Sequence, residues 1–95
     1  MAAYVIVDIE VLDPERYDHY KELAAPTVSA AGGRYLVRGG AVTSLEGNWQ
    51  PSRLVVLEFE SVEHALEWWN SPEYAPAKAL RQETASTQMI VVAGA

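Results

Sequence analysis

The strongest constraint on this chain is its opening strand. From Ala3 to Val11 the residues alternate, with Val5, Val7, Ile9 and Val11 pointing one way. Tyr4, Ile6, Asp8 and Glu10 point the other way, so both faces of the strand carry apolar groups near its start. Such a strand belongs inside a sheet, and each face needs a separate explanation of what covers it. Asp13-Pro14 follows at once and reads as a helix start, with Asp13 as N-cap and proline in the first turn.

The helix is expected to run to about Ala31, because Tyr17, Tyr20, Ala24, Val28 and Ala31 recur at three-to-four spacing. Pro26 is expected to kink it or split it, since proline lacks the N–H and clashes with the preceding turn. Gly32-Gly33 ends it. A second strand is expected over Arg34 to Arg38, with a bend at Gly39-Gly40 and a continuation over Ala41 to Leu45. Residues 46–51, Glu-Gly-Asn-Trp-Gln-Pro, have loop chemistry. Arg53 to Glu60 reads as the third strand, so nearly apolar from Leu54 to Leu57 that burial on both faces is implied. Ser61 then caps a helix whose Val62, Ala65, Leu66 and Trp69 make one face. Ser71-Pro72 repeats the cap-plus-proline signal before a further helical segment from about Glu73 to Thr84, and Thr87 to Ala93 reads as the last strand.

The order is βαββαβ, the ferredoxin-like arrangement of the α+β class. Its helices cover one face of a four-stranded antiparallel sheet. The other face, with Tyr4, Ile6, Leu54 and Val56, is left bare in a single copy, and a bare apolar face marks an interface. A homodimer with two sheets face to face covers it by a two-fold axis. Composition agrees: 49% of the 95 residues are apolar, more than one core of this size can hide alone.

Composition also excludes whole classes. There is no cysteine, hence no disulfide, thiol nucleophile or thiolate metal site. The net charge is −6 and the seven basic residues are scattered, which speaks against nucleic acid. Acids at Asp8 and Glu10 break the first apolar run, so neither a signal peptide nor a membrane span is expected, and the default location is cytoplasmic. No linker, repeat or low-complexity tract divides residues 1–95, so one domain is expected.

Four segments carry a resemblance: Gly32-Gly33-Arg34-Tyr35-Leu36-Val37-Arg38-Gly39-Gly40; Leu57-Glu58-Phe59; Ala65-Leu66-Glu67-Trp68-Trp69-Asn70-Ser71-Pro72-Glu73-Tyr74; and Leu80-Arg81. Together they resemble the family known as domain of unknown function 1330, over nearly the whole chain. The resemblance implies a dimeric α+β barrel and no particular reaction. Wider relatives of that fold include cofactor-independent monooxygenases, a lactone isomerase and stress-responsive proteins, which is analogy of fold only.

Candidate chemistry is sparse. His19 and His64 lie at no metal-binding spacing and read as surface residues, so no metal and no cofactor is expected. Asp8 and Glu10 fall on the face assigned to the barrel interior, where a desolvated carboxylate becomes a general base. The plainer reading puts them at the strand's wet end or against Arg34 or Arg38. Glu58 has the same ambiguity. Arg38 can clamp a carboxylate from Asp8, Glu46 or a ligand. Tyr74, Lys78 and Arg81 share a helix face, where a hydroxyl between two cations could hold an anion. In the plainer reading Tyr74 is core and the cations are solvated. Trp69 fits the buried stripe, whereas Trp68 and Trp49 are pocket or interface candidates.

The leading expectation is a small pocket between helices and sheet for an organic acid or phenol. Arg38, Trp68 and Arg81 would bind the ligand, with Asp8 as base and Tyr74 as hydrogen-bond donor. A cofactor-free acid/base or oxygen-handling enzyme and a non-catalytic ligand-binding or stress-response dimer both fit this expectation, and the sequence leaves the choice open. An assembly module would need the dimer surface alone.

Overall fold

The computed structural model describes all 95 residues as β1 (Ala3–Val11), α1 (Pro14–Ala30), β2 (Arg34–Arg38), β3 (Leu54–Phe59), α2 (Val62–Trp69), α3 (Ala75–Thr84) and β4 (Ala85–Ala93). The strands form one antiparallel sheet in the order β2-β3-β1-β4, with the helices on one side. This is the ferredoxin-like α+β fold. Its Cα extents, 36 × 34 × 16 Å, describe a thin two-layer slab.

Register explains which side is which. Val7 pairs with Val55 and Met89, and Val5 with Leu57 and Val91, so these rows face the helices. They form the core with Phe59, Tyr17, Val28, Trp68 and Tyr74. The alternate rows, Ile6 with Val56 and Ile90, and Tyr4 with Glu58 and Val92, face away from every helix. On that outer face Ile90 is 59% exposed and Val92 is 43% exposed. The sheet's second apolar face is therefore real, and no helix covers it.

Local signals act largely as the sequence predicts. Asp13 accepts from the Arg16 N–H and caps α1, and Ser61 accepts from the His64 N–H and caps α2. At the end of α1, Gly33 donates to the Val28 carbonyl and Gly32 to that of Ser29, a Schellman closure with Gly32 at φ 78°.

Several expectations need correction. Pro26 does not split α1, which runs unbroken through it. Residues Ala41 to Leu45 do not continue β2; they are exposed and form no strand, because the pairing ends where Gly39 N–H donates to the carbonyl of Leu54, the first residue of β3. Helix α3 starts at Ala75 rather than Glu73. The Ser71 hydroxyl still accepts from the Tyr74 N–H, but it closes a turn ahead of the helix. The buried face of α2 is also rotated from the expected one. Ala65 and Trp68 are buried, while Leu66 and Trp69 are partly exposed. Three-to-four spacing fits Ala65–Trp68 as well as Val62–Ala65–Trp69, and the Trp68 indole wins because it packs between Phe59 and Tyr74.

Candidate functional site

The polar chemistry of the core sits between α1, α3 and the sheet. Tyr20, from α1, and Tyr74, just before α3, bring their hydroxyls to 3.0 Å. Tyr74 is fully buried. Burial, then the neighbouring Tyr74, holds the Tyr20 phenol far above its ordinary range, while the positive charge of Arg81 works weakly the other way. Tyr20 therefore stays neutral and can offer a proton in a hydrogen bond. Burial likewise raises Tyr35, against the pull of Arg38.

Tyr20 lines a narrow cavity of about 30 Å³ with Tyr17, Tyr35, Trp68, Arg38 and Arg53. Three of its lining residues, Lys21, Arg38 and Arg53, also bound a broad outer hollow with Asp18 and Glu22. The two guanidinium groups sit over tyrosine rings, Arg38 4.4 Å from the Tyr35 centroid and Arg53 6.0 Å from that of Tyr17. Gly39, at φ 74°, makes room for this: a Cβ there would fall 2.3 Å from Arg53 Nη1. Arg53 Nε is buried without a hydrogen-bond partner.

Ion pairing sorts the basic residues. Arg16 pairs with Glu83, Lys21 with Asp18, and Arg34 with Glu58 at 2.6 Å. Lys78 instead rests on the Trp69 ring and donates to the Trp69 carbonyl. Arg38, Arg53 and Arg81 have no carboxylate partner, although acids outnumber bases thirteen to seven. All three lie on the helix side of the sheet, around the tyrosines.

The expected site residues divide accordingly. Arg38 and Trp68 line the cavity, and Tyr74 stands behind it through its bond to Tyr20. Arg81 is buried beside the same pair but opens toward a different hollow. Asp8 is the misfit. Its register places it on the outer face, where it accepts from Trp49 Nε1 at 3.0 Å and the Ser52 N–H at 3.2 Å. The sheet separates it from Tyr74, so it is no base for this cavity. Alternation along β1 carried that information, since Asp8 is out of phase with Val7 and Ile9. Glu10 shares the outer hollow with Asp8, and Glu58 is taken by Arg34. His19 and His64 are exposed beside Glu22 and Glu60. Trp49 is mostly exposed, and Trp69, expected in the core, is 36% exposed. Sequence reasoning missed Tyr20, Tyr35 and Arg53. Tyr20 lay on the helix stripe and was read as packing alone, and nothing marks Arg53 at a strand's edge.

A family model described as "Domain of unknown function (DUF1330)" matches residues 2–95. The chain belongs to this family. Among solved structures, RPA0582 of Rhodopseudomonas palustris, a protein of unknown function, superposes with a TM-score of 0.79 at 18% identity over 99% of this chain and 82% of that one. SnoaB, a cofactor-independent oxygenase from Streptomyces nogalater, superposes at 0.64 with 10% identity over 99% and 92%. Rv0793 from Mycobacterium tuberculosis does so at 0.59 with 17% identity over 100% and 96%. At these identities the likeness is one of fold alone: an α+β chain with a four-stranded antiparallel sheet and helices on one side. No curated protein matches the sequence.

Proposed function

We propose that this DUF1330 protein binds a small organic anion, a carboxylate or phenolate on an apolar body, at the tyrosine-lined opening between α1 and the sheet, and that it does so as a homodimer. One observation carries the reading. In a chain of net charge −6, Arg38 and Arg53 are left without carboxylate partners and converge on one aromatic opening. An arginine held over an aromatic ring rather than by a carboxylate has N–H groups to spare for two-pronged recognition of an anion. Tyr20, held neutral, can donate from behind.

Binding without turnover is the role this geometry supports best, because neither a histidine nor a carboxylate lines the narrow cavity to take a proton. A cofactor-free oxygenase is the second reading, favoured by the fold likeness to SnoaB. It would need a substrate that arrives already ionised.

Benzoate and phenol derivatives, titrated calorimetrically, test the proposal. Arg38→Ala is expected to weaken the best binder by about 1.5–3 kcal/mol, the scale of a charged hydrogen bond. Its melting temperature should stay close to the parent's, since Arg38 makes no ion pair to lose. Unchanged affinity in Arg38→Ala would contradict the assignment.

A further inference from the structure

Met89, from β4, lines the α1-side cavity and also a second hollow on its other flank, between α2, α3 and β4. This groove has a volume of about 300 Å³, at the lower end of ligand-sized pockets. Its walls are apolar, with Val5, Leu66, Trp69 and Val91 prominent, and its polar groups are Arg81, Gln82 and Thr87.

Arg81 is the unusual element. It is 3% exposed, makes no ion pair, and donates from Nη1 to Thr87 Oγ1 at 2.8 Å, while its Nε is buried with no partner. The acid nearest in sequence, Glu83, is turned to Arg16 instead. A buried cation is tolerated when an anion answers it, and a guanidinium with an unpaired N–H is answered by a carboxylate oxygen. One guanidinium among apolar walls balances one negative charge, which selects a monocarboxylate over a phosphate dianion.

We propose that this groove is a carboxylate-binding site for a monocarboxylic acid with a small apolar body. The carboxylate meets Arg81 and Thr87, and the body lies along Leu66, Trp69 and Met89. The site stands independently of the Arg38 opening, from which Met89 divides it.

The test compares hexanoate with hexanol on the full chain, by calorimetry and by amide and indole chemical shifts. Hexanoate is expected to shift the Leu66, Thr87 and Val91 amides and the Trp69 indole, and to bind at least about tenfold more tightly than hexanol, a difference of about 1.4 kcal/mol. Arg81→Met should bring hexanoate down to the level of hexanol. If that variant fails to fold, Leu66→Glu decides, because it places a repelling charge at the exposed lip and should weaken hexanoate more than hexanol. Equal affinity for the two probes, no binding in the millimolar range, or hexanoate shifts confined to Tyr35, Arg38 and Arg53 would overturn the site.

Discussion

Tyr20 shows how one residue can be read correctly as packing and still be missed as chemistry. Its place on the α1 stripe was visible in the sequence, but the partner 54 residues away that makes it a polar centre was not. A phenol whose folded pKa lies above its unfolded value, about 10, stabilises the fold fully below that pH and loses the contribution as pH rises through the folded value. Unfolding free energy is therefore expected to decline above about pH 10. Tyr20→Phe should flatten that decline, as read from urea melts across the alkaline range. An identical slope in the variant would show that Tyr20 is not the group responsible. Trp68 was set off the expected stripe of α2 and proves to be buried in the core, while Arg38 lines the opening beside Tyr35. Asp8 misled because facing the barrel interior of a dimer is different from facing the helices of one copy.

At the scale of elements, caps and glycine closures were the most readable features, because their hydrogen bonds are local. Asp13, Ser61 and Gly32 act within a few residues of where they stand. The face of α2 was less readable, since a helix of eight residues offers too few positions to fix a phase. Its burial is set by Trp68, which stacks 4.2 Å from Tyr74 and donates to Thr27 Oγ1 of α1. The turn between α2 and α3 matters for the same reason. Ser71 donates to the Trp68 carbonyl and accepts from the Tyr74 N–H, so it fixes where both rings lie. Ser71→Ala is expected to cost about 0.5–2 kcal/mol, as for a lost cap. A denaturation midpoint equal to the parent's would mean that water replaces both bonds without loss.

At the scale of the whole molecule, the slab has one apolar face too many, and the sequence said so through the doubled pattern of β1 and β3. A stable partner would cover about 1,200–2,000 Å² in total, which the outer rows around Ile6, Val56 and Ile90 are placed to supply. Val56→Asp is expected to give monomer, or to unfold the chain, because it buries an unpaired carboxylate. Sedimentation showing an intact dimer in that variant would move the interface elsewhere. What the sequence could not display is the other side, where three unpaired arginines from distant segments gather around four tyrosines. The most direct test of that central claim is a benzoate titration of the parent chain followed residue by residue through amide chemical shifts. The account predicts saturable shifts at Tyr17, Tyr35, Arg38 and Arg53; shifts confined to the outer rows of β1 and β4, or none at all, would contradict it.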